Sequence, residues 1–485
     1  MKKTDNGASE YWWVFLFLLA FLLFNILTAT SYPFPNVDEC MIAEPAINFI
    51  HGKGFGVRFS EILAMYSFLL VPWIKLFGES LRSIRSANMT CATTALFVLW
   101  LAVKRLRLIP QAAWRLLLLF VLATEFGMIF AYRTGRYDGF GCLLMAILTL
   151  IMSIRTKRTR HLSLFAVCLS LSWAGPQYLV ALFAAAVVLT LFFRTRYWAE
   201  IATSFLACAV GGIGFLMAIY LSGRLQSYRD FLSIQQRGGG FISELVLHGK
   251  LIHHNFLPKD FSLPFLIAGG LILFVSLRKK HPSPQFWSVC FGLAYCVVLS
   301  GLLISVAKFP SYYSYLIAIP LAVGMISGLS ACKSTPTKVT TLALCLMTAA
   351  AGAGLNGIGY ATDARDHEYS LIENFAAETL RADDIAYVDP QVYLAARQRA
   401  SDVYFPNPDL GIIAKMSQAQ RDSITVLLIQ PDWIPGTTLS LGGNWQMTGQ
   451  ELAPGGQSIF GNDSLGFVSW TLRDLEVVRR QLVHH

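Results

Sequence analysis

The sequence predicts an α-helical polytopic membrane protein that carries a small C-terminal α/β domain. Of its 485 residues, 55% are hydrophobic and only 14% are charged, whereas a soluble chain carries about 25% charged residues to cover its surface. The mean hydropathy is +0.52. Apolar stretches of about 20 residues, long enough to cross a bilayer, recur along most of the chain. These observations exclude a disordered chain, a disulfide scaffold and a cytosolic enzyme.

Eleven apolar stretches are interpreted as membrane spans, because a hydrocarbon core of roughly 30 Å needs about 20 residues of helix. They are residues 11–30, 86–103, 112–131, 138–154, 161–175, 177–193, 199–221, 263–277, 285–306, 313–331 and 338–358. The fifth and sixth are short and meet at Gly175-Pro176, so a re-entrant pair is an alternative there. The first span has no small-residue cleavage site and is expected to remain as an anchor.

The basic residues of the short loops predict the orientation, since Lys and Arg collect on the cytoplasmic side. Eleven spans and a cytoplasmic N-terminus place these basic groups inside: Lys2-Lys3, Lys104 to Arg107, Arg155 to Arg160, Arg194, Arg196, Arg278 to Lys280, Lys333 and Lys338. The net charge of +10 is thereby explained by topology rather than by a nucleic-acid partner. The C-terminus is expected outside the cytoplasm. A bacterial inner membrane is preferred because the chain is compact between its spans and has no eukaryotic retention signal.

Two domains are expected, a transmembrane domain over residues 1–359, which includes a first outer loop at 31–85, and an extracytoplasmic domain over 360–485. The second domain alternates short apolar runs with polar helical stretches, a pattern typical of a small α/β domain. The runs are Ile385–Val388, Val426–Gln430 and Phe467–Leu472, and Glu368–Leu380 is the clearest helical stretch.

The first outer loop carries the most informative acids. Asp38 and Glu39 follow the first span, and an amphipathic stretch, Met41–Ile50, comes next. Glu61 precedes a second such stretch, Ile62–Phe77. Paired carboxylates at the water–lipid boundary suit a general base that takes the proton of a hydroxyl. The pair would equally suit the start of a helix, where negative charge is favourable, and the residues leave both interpretations open.

Two outer turns carry cations against the positive-inside bias. The turn between spans three and four contains Arg133 and Arg136, and also Tyr132 and Asp138, which are candidates for substrate contacts. A guanidinium fork binds a phosphate diester in a bidentate manner, although Arg136 and Asp138 would also form a local ion pair that stabilises the turn.

The outer end of span nine carries Lys308, followed by Tyr312 and Tyr313. Lys308 suits either a lipid phosphate or a substrate phosphate. The two tyrosines are candidates for substrate contacts, and the alternative is an interfacial aromatic belt. No close Cys and His grouping predicts a metal site, so no cofactor is expected.

These motifs, in this order and on one side of the membrane, resemble the GT-C superfamily of membrane glycosyltransferases. Within it they are similar to the family 39-like branch of protein O-mannosyltransferases and lipid A aminoarabinose transferases. The resemblance covers roughly residues 10–330. It implies that Asp38 is the base with Glu39 beside it, and that Glu61, seventeen residues before Gly78, is a second carboxylate. The branch has Lys-Pro-Pro after that acid, where this chain has Ile62-Leu63-Ala64.

The departure at residues 62–64 means that other cations must hold the donor phosphate, and Arg58, Arg133, Arg136 and Lys308 are the candidates. The resemblance implies an inverting transfer of a sugar from a polyprenyl phosphate to an acceptor hydroxyl on a lipid, a glycan or a protein. A nucleotide-sugar donor is disfavoured because the candidate acids face outward. The C-terminal domain has no acid–cation cluster, so we expect it to govern acceptor choice rather than chemistry. The alternative function is a transporter or flippase, which would place its ionisable residues near the bilayer midplane.

The eleven-span arrangement predicts that a reporter fused after His485 lies outside the cytoplasm. An alkaline phosphatase fused there should be active, because this enzyme folds only outside the cytoplasm. The same reporter fused after Arg107, in a loop expected to be cytoplasmic, is the matched control and should be inactive. A well-expressed but inactive fusion after His485 would mean that the arrangement of eleven spans contains an odd number of spans too many.

Overall fold

The structure, a computed structural model, describes residues 7–31, 37–54, 64–226, 228–229, 262–278, 283–305, 313–362, 368–405, 412–453 and 474–481. Two compact units emerge from its internal contacts. The first comprises residues 1–26, 63–66 and 87–357, and the second comprises residues 27–62, 67–86 and 358–485. The contacts therefore group the first outer loop with the C-terminal segment.

Apolar helices account for most of the first unit. In chain order, the helices from the N-terminus to residue 362 are α1 (Gly7–Leu27), α2 (Val37–Ile50), α3 (Ala64–Phe77), α4 (Leu81–Arg105), α5 (Ala112–Thr124), α6 (Phe126–Arg133), α7 (Asp138–Ile151), α8 (Lys157–Ser172), α9 (Pro176–Phe193), α10 (Trp198–Leu221), α11 (Leu263–Leu277), α12 (Pro284–Ser305), α13 (Ser314–Ala331), α14 (Thr335–Ala349) and α15 (Leu355–Thr362). Every stretch interpreted as a span coincides with a helix or a helix pair.

Seven helices of the described residues are long and apolar enough to cross a membrane, and a bent pair raises the number to eight. The helices α7, α8 and α11, with 14, 16 and 15 residues, fall below the usual length of a span. The fold is thus a polytopic helical membrane protein, and the count of eleven spans stays a prediction.

The third predicted span, residues 112–131, is a broken helix rather than a continuous one. The helices α5 and α6 meet at Glu125 with a bend of 68°. Glu125 caps α6, because its Oε2 accepts a hydrogen bond from the Met128 amide at 2.7 Å. Ser262 donates to Glu125 Oε1 at 2.8 Å and accepts from the Phe126 amide at 3.0 Å. These bonds satisfy the backbone groups that a break inside an apolar region would otherwise leave unpaired.

The two amphipathic stretches of the first loop are helices, as predicted, but the first begins earlier than expected. The helix α2 begins at Val37, not at Met41, so Asp38 and Glu39 lie inside its first turn. The helix continues through Pro45, and α3 continues through Pro72. The early start places both acids on the helix itself instead of on the loop that precedes it.

The C-terminal segment folds into a five-stranded sheet with short helices. Its elements are α16 (Tyr369–Thr379), β1 (Ile385–Val388), α17 (Tyr393–Arg397), β2 (Asp402–Tyr404), α18 (Ile412–Lys415), α19 (Gln418–Ser423), β3 (Val426–Ile429), α20 (Ile434–Leu441), β4 (Trp445–Leu452) and β5 (Leu475–Arg480). The strand order is β2-β1-β3-β5-β4, with β1 parallel to β2 and β3, and β5 antiparallel to β3 and β4. The small α/β domain is thus confirmed. The expected run Phe467–Leu472 lies outside the described residues.

The core of the sheet lies on alternate side chains of three strands. Tyr387 of β1, Leu427 and Ile429 of β3, and Val478 of β5 are buried together with Met416 and Leu441. Since β1 lies between β2 and β3, and both neighbours are parallel to it, the chain reverses its direction of travel across the sheet at β1. The carboxyl ends of β1 and β3 therefore lie side by side at Val388 and Ile429, the kind of edge where open α/β sheets bind ligands.

The helices α12 and α13 pack closely against each other in the first unit. A Cβ at Gly292 would lie 2.7 Å from the Pro320 carbonyl oxygen, and one at Gly324 would lie 2.6 Å from the Ser288 carbonyl oxygen. Each glycine thus lets the backbones of the two helices approach closely, as small residues do in membrane helix pairs.

We expect Gly292→Ala to destabilise the helix pair by about 1–3 kcal/mol, because the added methyl group must push two backbones apart. Gly301→Ala on the same helix is the matched control, since a Cβ there meets nothing within 4 Å. It should be neutral or stabilising by up to about 1 kcal/mol, given the better helix propensity of alanine. Thermal unfolding in detergent measures both variants, and equal melting temperatures would show that the close approach at Gly292 is not needed for the fold.

Candidate active site

The two acids of α2 have different environments. Glu39 is fully buried, whereas Asp38 is partly exposed. Both carboxylate oxygens of Glu39 accept hydrogen bonds from Arg85, from Nε to Oε1 at 2.8 Å and from Nη2 to Oε2 at 2.9 Å. This geometry suits a residue that fixes the helix better than one that takes a substrate proton. Of the adjacent pair, Asp38 is the carboxylate that the fold presents near a surface.

Arg85, which the sequence did not single out, is the partner of Glu39 in the candidate site. It lies near the start of α4, is fully buried, and its third nitrogen, Nη1, donates to the Ala29 carbonyl oxygen at 2.7 Å. One guanidinium thus joins the segment after α1, the first turn of α2 and the first turns of α4. The signal was an arginine immediately before an apolar span that begins at residue 86. Its partner could not be read from the sequence because Glu39 is 46 residues away.

The turn between α6 and α7 contains an ion pair between Arg136 and Asp138, as the structural interpretation of this turn predicts. Arg136 Nε lies 3.2 Å from Asp138 Oδ2, and both side chains are buried. The guanidinium also lies over the ring of Tyr137, 5.5 Å from its centroid. Asp138 begins α7, where a negative charge is favourable. A stabilising local pair is therefore present, and a donor-phosphate contact by Arg136 stays a prediction.

Two tyrosine hydroxyl groups lie one after the other beside the Asp138 carboxylate, within the first unit. Tyr315 Oη donates to Asp138 Oδ1 at 2.8 Å, and Tyr178 Oη lies 3.2 Å from Tyr315 Oη. The single hydroxyl proton of Tyr178 can be donated either to Tyr315 Oη or to the Tyr137 carbonyl oxygen, which lies 3.4 Å from Tyr178 Oη. Gly141 makes room for this arrangement, because a Cβ there would lie 1.8 Å from Tyr178 Cζ. The tyrosines of α9 and α13 thereby fix the carboxylate of Asp138, and neither was singled out from the sequence.

The polypeptide of the turn is held by Asn88 of α4. Its Nδ2 donates to the carbonyl oxygens of Ala131 at 2.7 Å and of Thr134 at 2.8 Å, while its Oδ1 accepts from the Gly139 amide at 2.7 Å. A Cβ at Gly139 would lie 2.5 Å from the Asn88 carbonyl oxygen, so α4 and α7 touch here. This bracing gives the turn a defined conformation, which a binding turn requires.

Two further candidates from this turn, Tyr132 and Arg133, have contacts that are structural. Tyr132 is buried, donates to the Ala123 carbonyl oxygen at 2.7 Å, and packs edge-on against Phe21 with ring centroids 4.9 Å apart. Arg133 is also buried and donates to Asn25 Oδ1 at 2.7 Å. The contacts with Phe21 and Asn25 join α6 to α1, and the hydrogen bond to Ala123 joins α6 to α5. They favour structural roles for Tyr132 and Arg133 over the predicted substrate and phosphate contacts.

The remaining candidates divide between described and undescribed residues. Tyr313 is buried just before α13, and its ring centroid lies 6.5 Å from that of Tyr315. Four candidates lie outside the described residues: Arg58, Glu61, Lys308 and Tyr312. Across the part of the chain that the structure describes, no group of three or more His, Cys, Asp or Glu residues could hold a metal ion.

The structure brings the candidates together in two separate groups, one in each compact unit. Asp38, Glu39 and Arg85 belong to the second unit. The first unit contains the other described candidates, which are Tyr132, Arg133, Arg136, Asp138 and Tyr313.

Comparison with solved structures identifies the fold. ArnT from Cupriavidus metallidurans, in a crystal structure with undecaprenyl phosphate bound, superposes with a TM-score of 0.62 over 98% of both chains at 14% identity. Its apo crystal structure gives a TM-score of 0.59 over 97% of this chain and 98% of that one at 13% identity. ArnT is a lipid A aminoarabinose transferase of the GT-C class. The chain has the GT-C fold.

Other comparisons add little. The mycobacterial arabinofuranosyltransferase AftD has a TM-score of 0.48 at 12% identity, with 98% of this chain covering 40% of that chain, which is too distant to support an argument. No protein-family model and no curated protein matches the sequence. The ArnT superposition confirms, at the level of the fold, the GT-C resemblance found in the motifs. The superposition covers 98% of this chain, and so includes the C-terminal segment as well as residues 10–330.

A double substitution distinguishes the two roles of Arg136. Arg136→Ala should lower stability by about 3–5 kcal/mol, because it leaves the buried Asp138 without its cation. In Arg136→Ala/Asp138→Asn the unmatched charge is gone, so stability should largely return. If Arg136 contacts the donor phosphate, binding of undecaprenyl phosphate should stay about tenfold to hundredfold weaker in the double variant.

Titration calorimetry in detergent and thermal unfolding measure these two quantities separately. Asp138→Asn alone is the control for the loss of the carboxylate. Full recovery of undecaprenyl phosphate binding in the double variant would assign Arg136 to the local ion pair alone.

Proposed function

We propose that this protein is a membrane glycosyltransferase that moves a sugar from a polyprenyl-phosphate donor to an acceptor hydroxyl, on the extracytoplasmic face of a bacterial inner membrane. The observation that carries the proposal is the first turn of α2. There the partly exposed Asp38 adjoins Glu39, whose two oxygens are held by Arg85. The second support is the fold shared with ArnT, whose crystal structure contains undecaprenyl phosphate.

The two acids of α2 divide the work between them. Glu39 is buried and accepts both arms of the Arg85 fork, so it fixes the rotation of α2 about its axis. Asp38, the preceding residue, then projects about 100° away around the helix. A carboxylate held in this way is suited to act as a general base, because its direction is set before the substrate arrives.

The proposed reaction is a single displacement. Asp38 accepts the proton of the acceptor hydroxyl while the acceptor oxygen attacks the anomeric carbon. The bond from that carbon to the phosphate oxygen breaks, the polyprenyl phosphate leaves with the bonding electrons, and the anomeric configuration inverts. Negative charge grows on the phosphate as the bond breaks, so cations placed there stabilise the transition state more than the bound donor.

The cations available for the phosphate are unequal. Arg133 donates to Asn25 and is the weakest candidate. Arg136 is buried in a braced turn, which suits a fixed phosphate contact, although its pairing with Asp138 means that the site already contains one negative charge. Lys308 and Arg58 lie outside the described residues and stay candidates from the sequence. Lipids, envelope glycans and proteins all offer the acceptor hydroxyl that the reaction needs.

A transporter or flippase is the second candidate function, and the break between α5 and α6 favours it. Broken helices with buried carboxylates are typical of transport sites. Here, however, both Glu125 oxygens accept hydrogen bonds from the protein itself, from Met128 and Ser262. The cap of α6 therefore accounts for this acid, and the enzyme proposal is preferred.

An assay in proteoliposomes separates the two functions. The purified protein is supplied with undecaprenyl phosphate carrying a radiolabelled sugar and with extracted envelope lipids and glycans as acceptors. An enzyme releases undecaprenyl phosphate and labels the acceptor. A flippase moves the labelled lipid between leaflets without cleaving it, and that outcome would overturn the enzyme proposal.

Asp38→Asn should lower turnover by roughly 10²–10⁴-fold, because it keeps size and hydrogen bonding but removes the base. Undecaprenyl phosphate binding should be retained, since the base acts on the acceptor. Glu39→Gln is the matched comparison on the neighbouring residue, and it should chiefly lower the melting temperature by weakening the buried pair with Arg85.

Transfer kinetics, donor titration and thermal unfolding together check the Asp38 prediction. Near-normal transfer by a folded Asp38→Asn variant would leave Asp38 as a charge at a helix terminus, and Glu61 would become the next candidate base.

A further inference from the structure

We infer that the carboxyl edge of the C-terminal sheet positions the proposed catalytic helix α2, through a clamp formed by Asp389, Pro390 and Gln430. The inference rests on the proposed function and deepens it. It makes the C-terminal domain part of the apparatus that aims Asp38, in addition to any part in acceptor choice.

The clamp begins at the end of β1. Asp389 is buried, and its amide donates to the Leu428 carbonyl oxygen at 2.7 Å. Its Oδ2 accepts from Gln430 Nε2 at 2.6 Å, and its Oδ1 accepts from the Gln391 amide at 2.9 Å. The side chain thus bridges the ends of the parallel strands β1 and β3 and closes the turn at residues 389–391. Bonds of this kind fix the direction of the intervening Pro390 carbonyl group.

The Pro390 carbonyl oxygen is the contact to α2. Cys40 Sγ donates to it at 3.0 Å, and Cys40 is fully buried. Cys40 lies two residues after Asp38 and one after Glu39, in the same turn of the helix. A shift of the 389–391 turn would therefore be transmitted directly to the turn of helix that presents Asp38.

A second contact sets the far end of α2. Lys53, three residues beyond the end of the helix, donates to Asp402 Oδ1 at 2.9 Å at the start of β2. Since β1 and β2 are parallel, with Ile385 opposite Asp402, this contact lies at the amino edge of the sheet. The helix is thus held at the carboxyl edge near its first turn and at the amino edge beyond its last. Two separated anchors fix both position and tilt, and the Arg85 fork fixes rotation.

The purpose of such an arrangement follows from the geometry that a general base needs. A displacement of about 1 Å at a catalytic group can cost about 10²-fold in rate. The exchange of a proton between Asp38 and an acceptor requires a distance within hydrogen-bond reach. Asp389 and Gln430 would thus act as positioning residues, because their effect on Asp38 is transmitted through the 389–391 turn and the Cys40 contact to α2.

The test exploits the direction of the Asp389–Gln430 hydrogen bond. Asp389→Asn removes the negative charge of the acceptor, so the hydrogen bond with Gln430 loses its charge assistance and the bridge weakens. Asp389→Asn/Gln430→Glu restores it with donor and acceptor exchanged. Asp384→Asn is the matched structural control, because Asp384 is a buried acid of the same domain that accepts two hydrogen bonds from Arg479 at 2.9 and 3.0 Å and is not part of the Asp389–Gln430 bridge.

Two readouts are measured on the full-length protein in detergent. The first is hydrogen–deuterium exchange of residues 37–50, which does not depend on activity. The second is the kcat for transfer, which is compared with the affinity for undecaprenyl phosphate measured on the same variants. Asp389→Asn should speed exchange in α2 and lower kcat at least about tenfold, with phosphate affinity unchanged, and the double variant should restore both. Asp384→Asn should lower the melting temperature without changing either readout.

A second series covers the case in which Asp389→Asn fails to fold. Cys40→Ala removes the thiol donor without touching the sheet and should reproduce the effect, whereas Cys40→Ser keeps a donor and should retain kcat. Unchanged exchange in α2 for the folded Asp389→Asn and Cys40→Ala variants would overturn the clamp, as would faster exchange with normal kcat. A wild-type protein without any transfer would instead refute the proposed function, while the exchange data would still report on the clamp.

Discussion

The buried pair of Glu39 and Arg85 is the interaction on which the second unit depends. Removing two charges from water costs several kcal/mol for each ion, and their attraction repays this only when the remaining polar atoms are satisfied. Here the Arg85 guanidinium donates from Nε and Nη2 to the two carboxylate oxygens of Glu39, and from Nη1 to the Ala29 carbonyl oxygen. The segment at Ala29, the first turn of α2 and the start of α4 must therefore meet for either charge to be buried. The pair makes the site and the local fold inseparable.

The same chemistry recurs in the first unit, where Glu10 of α1 is buried. Its carboxylate accepts from Arg115 Nε and Nη2, both at 2.7 Å, from Lys104 at 3.0 Å and from the indole of Trp100 at 3.0 Å. Ionisable groups in apolar helices are costly and mark either function or a paired structural site. Glu10, Glu39 and Glu125 are buried and belong to the structural kind by their hydrogen bonds, whereas Asp38 is partly exposed.

Local signals in the sequence predicted most of the fold, and long-range partners account for what it missed. Hydropathy located the helices that the structure describes in the first unit, and alternating apolar runs located β1 and β3. The break at Glu125 was missed because its cap needs Ser262, 137 residues away. The site divided in the same way: the acids of α2 and the Arg136 turn were visible as charges in apolar surroundings, whereas Arg85, Asn88 and Tyr315 could be recognised only through contacts that the fold creates.

The grouping of the first loop with the C-terminal sheet changes how the chain is divided by role. Sequence composition suggested a membrane part for chemistry and a tail for acceptor choice, since no acid–cation cluster could be singled out in the sequence of the tail. Positioning needs no such cluster. Positioning needs fixed backbone groups. The carboxyl ends of the parallel strands β1 and β3 supply one at Pro390, whose carbonyl oxygen accepts a hydrogen bond from the thiol of Cys40. An acceptor held by that edge would lie beside the helix that carries Asp38, so that acceptor recognition and proton removal would depend on the same few hydrogen bonds.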